Sequence, residues 1–140
     1  MLKAVTIEPI LKVTDLYTLY YFQHKSGYRF EGESHDFWEI IYVDHGRASG
    51  LNGSEPYELK KGQMIFHHPN VFHNFRTGVM TDEVDEDCDI IVISFGGNLE
   101  VLEQFRDHIF TLSIYERNIF KQILDEGKQV YNKQMGKSDL

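Results

Sequence analysis

The sequence of 140 residues has one cysteine, three prolines and one tryptophan, and it contains no long apolar run. A single cysteine, Cys88, cannot form an internal disulfide, which indicates a reducing cytoplasm. No apolar stretch approaches the roughly 20 residues that a bilayer span requires, so we expect no membrane partner. The first residues interrupt their apolar positions with Glu8, Pro9 and Lys12, a pattern that argues against a secretory signal.

Positive charge is also scarce. The chain has 14 Lys and Arg against 22 Asp and Glu, which gives a net charge of −8 at pH 7. A protein that binds DNA or RNA through the phosphates usually presents a basic face. The longest basic cluster here is Lys60-Lys61. We therefore expect that these residues do not themselves bind nucleic acid.

Short segments rich in Val, Ile, Tyr and Phe, separated by turn-forming residues, fill the chain between residues 7 and 95. Many short strands with tight turns and no intervening helix predict an antiparallel barrel or sandwich. The clearest turn is Asn52-Gly53, which suits a type I′ hairpin. The predicted strands are Ile7–Val13, Tyr17–Phe22, Tyr28–Phe30, Asp36–Asp44, Ala48–Leu51, Glu55–Leu59, Met64–His67, Phe72–Arg76 and Ile90–Phe95.

The hydrophobic period changes from two to nearly four after residue 97, which predicts two helices. The first spans Leu99–Arg106. The second begins with a capping box, in which Ser113 and Glu116 satisfy each other's free amides. Along it, Ile119 and Ile123 belong to an apolar stripe that can pack on the chain's own sheet or on another subunit.

Two segments contain four of the seven histidines and several carboxylates: residues 33–39 and residues 62–74. Alternate residues of an extended strand share a face, so Glu33, His35, Phe37 and Glu39 are expected to point the same way. If that face is the interior of a barrel, a carboxylate and an imidazole meet in an aromatic pocket. His73, on a later strand, can approach them across the barrel.

These segments resemble the two motifs of the cupin family. As they stand in this sequence, the motifs are His35-x3-Glu39-x6-Gly46 and Gly62-x5-His68-x-Asn70-x2-His73. In the second motif His68 stands where the family usually has Pro, and Asn70 stands where it usually has Gly. More narrowly, HDFWEIIYVDHG followed by LKKGQMIFHHPNVFHNF is similar to the N-terminal sensing domain of AraC-type transcription regulators.

The resemblance implies a mainly β chain with a single domain. Residues 1–97 would form a cupin double-stranded β-helix, a jelly-roll barrel, and residues 98–140 two C-terminal α-helices that pack on the barrel or at a dimer interface. A small-molecule effector would bind inside the barrel of a homodimer. In such regulators DNA is bound by a separate C-terminal domain, which this chain does not contain. The polar, uncapped ending at Leu140 favours a fragment of a longer regulator.

The same resemblance assigns ligand-binding residues and no catalytic ones. The polar contacts to the ligand would come from His35, Glu39 and His73. The residues themselves, rather than the resemblance, suggest Phe37, Phe66 and Phe75 as the aromatic walls. Aromatic walls with a few polar groups suit a sugar or another small polar organic molecule.

A divalent metal is an alternative occupant of this site. Metal-binding cupins have His at the position of Glu33. When the family's ligand positions are matched to this sequence, they fall on Glu33, His35, Glu39 and His73, which would be the ligands for Zn, Ni, Mn or Fe. AraC-type sensing domains often keep the His and Glu positions for hydrogen bonds to the effector, and we expect that no metal is required.

The sequence thus favours a cytoplasmic sensing and dimerisation domain without enzyme activity. Two alternatives stay open: a free-standing metal-dependent cupin enzyme, either a dioxygenase or an isomerase, and a carbohydrate-binding cupin. His24, His45 and His108 have no partner at an informative spacing and are expected at the surface. His67 is expected to be structural or exposed.

Overall fold

A computed structural model describes residues 1–80 and 85–138, with the backbone alone for helical residues 130–138. Nine strands, one 3₁₀ helix and one α-helix follow each other in the described part of the chain. Their bounds are β1 Lys12–His24, β2 Arg29–Glu33, β3 Trp38–His45, β4 Arg47–Asn52, β5 Glu55–Lys60, β6 Gln63–His67, β7 His73–Thr77, β8 Cys88–Asn98, the 3₁₀ helix Glu100–Phe105, β9 Ile109–Thr111 and α1 Ile114–Ser138.

The strands form two antiparallel sheets. The five-stranded sheet has the order β1-β8-β3-β6-β9, and the four-stranded sheet has the order β2-β7-β4-β5. Strands that follow each other in sequence often lie in different sheets, so the chain winds back and forth between the two layers. This is the double-stranded β-helix barrel that the sequence predicts. Neither described helix is long and apolar enough to cross a bilayer.

The outer strands of both sheets are irregular or short. In the five-stranded sheet, β1 pairs with β8 through two register shifts, and β9 at the opposite edge has three residues. In the four-stranded sheet, β2 has a register shift between Phe30 and Glu33, and β5 contains Pro56. Each outer strand is therefore bulged, short or interrupted by a proline, although β5 keeps a regular register with β4.

Two apolar clusters lie on the two faces of the five-stranded sheet. The inner cluster, between the sheets, includes Ile41 and Val43 of β3. The outer cluster includes Trp38 and Tyr42 of the same strand, packed with residues of the 3₁₀ helix and of α1, such as Phe120. Alternation along β3 explains this division, and the strand is covered on both sides.

Three details differ from the predicted elements. Ile7–Val13 is not a strand, because residues 1–11 are exposed and β1 begins only at Lys12. The predicted helical segment Leu99–Arg106 contains a 3₁₀ helix and not an α-helix. Leu99, at the N-cap of this helix, supplies no side-chain hydrogen bond, and Asp107, directly after the segment, has a φ of 67°. Strand β9 was not predicted. After β8 the chain thus forms a 3₁₀ helix, strand β9 and one α-helix, where the sequence predicted two α-helices.

The turns and caps that direct the chain are largely as predicted. The capping box of α1 is present: the Ser113 amide donates to Glu116 Oε1 at 2.8 Å, and the Glu116 amide donates to Ser113 Oγ at 3.2 Å. The predicted hairpin is also present, but its turn lies one residue later. Asn52 is the last residue of β4, and Gly53 has a φ of 64°. Positive φ at the first turn residue, Gly53, but not at the second, Ser54, is the pattern of a type II′ turn.

Candidate functional site

A cavity of about 380 Å³ lies between the two sheets. At one end it is lined by polar groups, among them Glu33, Glu39 and His73. Elsewhere its wall is aromatic and aliphatic. The residues that form this wall are Tyr20, Phe22, His24, Tyr28, Phe30, Ile41, Phe75, Ile90 and Val92. The cavity therefore combines one charged end with an apolar body.

The charged end brings together the four residues that the sequence predicts. One ligand atom from each of Glu33, His35, Glu39 and His73 lies within 4.8 Å of the others. Three elements position them: β2 ends at Glu33, β3 carries Glu39 near its start, and β7 begins at His73. Pairing of Glu33 with His73 brings β2 and β7 together at this point, and His35 lies in the connection between β2 and β3.

Glu39 is the centre of this cluster. Its Oε2 atom lies 3.0 Å from Nε2 of His73, and its Oε1 atom lies 3.4 Å from Nε2 of His35. Ser94 donates a hydrogen bond to Glu39 Oε1 at 3.0 Å, and its own hydroxyl accepts one from Thr18 at 2.6 Å. Glu39, His73 and Ser94 are all buried, so these contacts are held in a medium of low polarity.

Both imidazoles are fixed by backbone carbonyls. Nδ1 of His35 lies 3.0 Å from the carbonyl oxygen of Phe37, and Nδ1 of His73 lies 3.1 Å from that of Val71. Since a carbonyl only accepts, each Nδ1 must carry a proton and donate it. Each Nε2 then either carries a second proton, which makes the ring cationic, or presents a lone pair toward the carboxylates. The second state requires a cation or a donor group between the imidazoles and Glu39.

The cluster shifts the acidity of its members. Burial alone would raise the pKa of Glu39, but the facing imidazoles of His35 and His73 outweigh it and bring that pKa to about 2. Burial lowers the pKa of His35, whereas its contact with Glu39 raises it, and the net shift is upward. Glu39 is accordingly a carboxylate at neutral pH, and His35 gains a proton more readily than a free histidine.

The three predicted aromatic residues are not placed alike. Phe75 lines the cavity. Phe37 does not line it, but its ring stacks on His35 with centroids 3.9 Å apart and thereby supports that imidazole. Phe66 is not brought to the site: it pairs with Ile40 across the ladder and packs on the outer cluster, with its ring centroid 6.2 Å from that of Trp38.

Sequence reasoning missed a histidine beneath the site. His67 is completely buried, and its ring stacks on His73 with centroids 4.4 Å apart. Its Nδ1 atom lies 2.9 Å from Oδ1 of Asn52, whose amide donates to Asp107 at 2.6 Å. His67 is thus structural and not exposed. The pairing of His67 with Glu39 across β6 and β3 would have placed it inward, had the register been known.

His24 is a second residue that the sequence analysis placed differently. It was expected at the surface, but it lines the cavity and stacks on Tyr28 with ring centroids 3.8 Å apart. Burial lowers its pKa. The spacing in the sequence could have placed His24 in the cavity, because it follows Phe22 by two residues on β1 and alternate residues of a strand share a face.

The residues of the cluster fit a divalent metal. Two imidazoles and two carboxylates are common ligands for Zn, Ni, Mn and Fe. The buried Nε2 atoms of His35 and His73 have no hydrogen-bond partner of acceptable geometry among the described residues. Carbonyls that hold the opposite ring nitrogens are the usual outer support of metal-bound histidines. Glu33, His35, Glu39 and His73 would hold such an ion.

Comparisons with known proteins agree with this architecture. The family described as AraC-like ligand binding domain matches residues 15–99. A conserved protein of unknown function from Streptococcus pyogenes has a similar structure, with a TM-score of 0.51 and 16% identity over 62% of this chain and 69% of that one.

Two further solved structures show weaker likeness. A cupin 2 domain-containing protein from Halorhodospira halophila has a TM-score of 0.48 and 15% identity over 73% of this chain and 62% of the other. An RmlC-like cupin family protein from Methanocaldococcus jannaschii has a TM-score of 0.49 and 12% identity over 60% of this chain and 73% of the other. No curated protein matches the sequence.

Proposed function

The chain belongs to the family of AraC-like ligand binding domains, and on this premise we propose that it senses a small polar organic molecule inside its barrel. The observation that carries this proposal is the cavity of about 380 Å³ with a charged end and an aromatic body. Small-molecule sites are typically clefts of this size, with apolar walls and a few convergent polar groups.

The lining favours a ligand that carries several hydroxyl groups and a flat or ring-shaped apolar face. Glu39 and Glu33 accept hydrogen bonds, which suits hydroxyl donors on the ligand. Tyr28 and Phe75 lie together at the aromatic side, with ring centroids 6.0 Å apart. A sugar satisfies both requirements, because its hydroxyls can meet the carboxylates while its C–H face packs on the rings.

The ligand would act by changing how two copies of the domain are arranged. Tyr115, Ile119 and Ile123 of α1 are 79%, 54% and 40% exposed, although they are apolar or aromatic. Together with Leu16 of β1, the two isoleucines line an open groove. We propose that this surface pairs two subunits. Only a ligand that binds one arrangement more tightly than the other would shift the equilibrium between them.

The proposed context is a bacterial transcription regulator in the cytoplasm, in which a separate domain contacts DNA. The mass of the native protein, detected in its own cells with an antibody to this domain, tests this context. A product larger by the ~100–150 residues of a further domain would support it. A product of 16.4 kDa would contradict it.

The sensing role itself is tested by ligand screening. A panel of monosaccharides and small polyols is first examined by thermal unfolding, and each compound that raises the midpoint is titrated by calorimetry into the wild type, Glu39→Ala and Phe75→Ala. We expect that both substitutions weaken binding at least tenfold. Unchanged affinity in both variants would overturn the assignment of the cavity. Tight binding without any change in subunit arrangement would instead support a carbohydrate-binding cupin.

The metal-fitting cluster favours one further candidate, a metal-dependent cupin enzyme. A divalent ion held there would supply Lewis-acid or redox chemistry. The residues Glu33, His35, Glu39 and His73 would hold it, while the apolar wall would keep water from the reacting molecule. Elemental analysis of untagged protein decides between the candidates: a stoichiometric metal that is lost in His73→Ala supports the enzyme, and metal-free protein that binds a polyol removes it.

A further inference from the structure

A second cavity, of about 460 Å³, lies on the opposite face of the five-stranded sheet, between that sheet and α1. Tyr42 and Ile91 line it, whereas their neighbours Ile41 and Ile90 line the inner cavity. Because successive residues of a strand point to opposite faces, the sheet itself separates the two cavities. A molecule bound in this outer groove would be distinct from one bound inside the barrel.

The outer groove collects positive charge on a chain that is strongly acidic. Four cationic side chains line it against two carboxylates, Asp44 and Asp125. The four cations are Lys61, Arg117, Lys121 and Lys128. With a net charge of −8 for the whole chain, such a concentration of cations is not what a random surface would give. The groove therefore carries a local positive potential that attracts anions.

One of the two carboxylates is already engaged by donors within the fold. Asp44 accepts a hydrogen bond from the Tyr21 hydroxyl at 2.9 Å, and its Oδ2 atom lies 3.3 Å from Nδ1 of His45. No described carboxylate lies within 4.0 Å of the charged groups of Arg117 or Lys121, since neither forms a salt bridge in the described part of the chain. These two cations thus lack an acidic partner of their own.

Arg117 is placed where helix stability does not call for a cation. It lies near the N-terminus of α1, the end at which the helix dipole favours negative charge. Its side chain reaches across the groove to the turn at Gly62, where an added Cβ atom would lie 3.8 Å from its Cδ, Nε and Cζ atoms. The side chain of Arg117 therefore extends across the groove from the helix, and its guanidinium lies near the turn at Gly62.

The floor of the groove carries the hydroxyl group of a tyrosine, Tyr42. Tyr42 is 2% exposed, and its ring stacks on Phe120 with centroids 4.8 Å apart. The hydroxyl forms no hydrogen bond with the described residues, although it belongs to a side chain that lines the groove. The hydroxyl oxygen is open to the groove and is not sealed in the core, so a ligand oxygen can form a hydrogen bond with it.

We propose that this groove is a second binding site, for a small organic anion with at least two negative charges, held by Arg117 and Lys121 above the Tyr42 hydroxyl. Phosphoryl groups and clustered carboxylates share the required chemistry, because both present several anionic oxygens to guanidinium and ammonium donors. The apolar side chains of Ile91, Ile114 and Leu124 also line the groove and would contact the carbon skeleton of the anion. Such a molecule would act independently of the ligand inside the barrel.

Two probes distinguish the sources of negative charge: inorganic pyrophosphate for phosphoryl groups and citrate for carboxylates. Each is titrated into ¹⁵N-labelled protein at constant ionic strength, and amide shifts are followed by NMR. The test variant is Arg117→Gln combined with Lys121→Gln. Its matched control is Lys3→Gln combined with Lys12→Gln, which removes the same charge from exposed positions that do not line the groove. Tyr42→Phe tests the hydroxyl while it keeps the ring.

We expect saturable shifts of groove amides with at least one probe, at least tenfold weaker binding in the test variant and unchanged binding in the control. Saturation with pyrophosphate alone would assign a phosphorylated ligand, and saturation with citrate alone would assign a polycarboxylate. Tyr42→Phe is expected to weaken binding several-fold. Shifts that do not saturate with either probe, or that weaken equally in the test and control variants, would overturn the proposal.

Discussion

Nε2 of His73 lies 3.0 Å from Oε2 of Glu39, and the side chains of both residues are buried, at 1% and 8% exposure. Nδ1 of the same imidazole is held by the Val71 carbonyl. The ring can therefore meet the carboxylate only as a cation or across a third group that bridges the two. This geometry couples the stability of the barrel to whatever occupies its charged end.

Replacement of Glu39 tests this coupling in the absence of ligand. Glu39→Gln removes the negative charge that His35 and His73 face, and Ser94 loses a charged acceptor. We expect the free energy of unfolding to fall by about 1–3 kcal/mol, the usual cost of disrupting a buried hydrogen-bonded group. Urea unfolding at pH 7 measures it. Glu31→Gln, at an exposed position of β2, is the control, and an equal small loss in both variants would contradict the central role of Glu39.

The stability of the barrel should depend on pH in a defined direction. Glu39 has a pKa of about 2 in the folded state, and burial together with repulsion by His73 lowers the pKa of His67 to about 3. Both pKa values are below those of the unfolded chain, so the stability that they contribute is complete above pH 6.5 and is lost as the pH falls toward 3. His35 acts in the opposite sense, because its raised pKa contributes stability that is lost as the pH rises above 6.5.

We therefore expect maximal stability near pH 6–7. Urea unfolding between pH 4 and pH 8 checks this expectation. His67→Gln should reduce the loss between pH 6.5 and pH 4.5, because the variant no longer has a buried imidazole to keep neutral. A pH profile with the same slope in the wild type and the variant would show that His67 does not contribute.

The apolar stripe of α1 predicts an association surface. Ile119→Asp or Ile123→Asp places a charge in the exposed groove beside Leu16. If two subunits pair there, either substitution should convert a dimer into a folded monomer, which sedimentation velocity and circular dichroism detect together. Gln129→Asp adds the same charge at another exposed position of the helix and should leave the dimer intact. A folded, unchanged dimer in Ile119→Asp would exclude this surface as the interface.

The opposite side of the same helix should instead be required for folding. Phe120 is 9% exposed and packs on Tyr42 in the outer cluster. Phe120→Ala is expected to cost about 3–5 kcal/mol of unfolding free energy, since it leaves a cavity in that cluster. Gln129→Ala, at an exposed position of the same helix, should change it by less than about 0.5 kcal/mol. Similar losses at both positions would mean that α1 is not docked as described.

The sequence predicted the charged end of the cavity better than its aromatic body. Glu39 and His73 could be found because the motif spacing carries them. Phe66 and His67 are neighbours on β6, and only one of them can face inward. A one-residue change of register exchanges their roles, and this register depends on pairing with β3, which no local pattern reveals.

The helical region shows a similar limit. The capping box of Ser113 and Glu116 is a local signal, and α1 begins where it predicts. Strand β9 has three residues, and it exists because it pairs with β6, a distant part of the chain. Residues Glu100–Phe105 could be predicted as helical, but the tighter 3₁₀ form goes with the absence of a side-chain cap and with the turn at Asp107.

The irregular outer strands have a consequence for solubility. An exposed, regular strand edge presents unpaired amides and carbonyls on which another chain can add a strand and begin aggregation. Here each described edge is protected in its own way: β1 and β2 are bulged, β9 is short, and β5 has a proline that cannot donate. The protein can therefore expose apolar residues such as Val13 and Leu16 along β1 without recruiting further copies into a growing sheet.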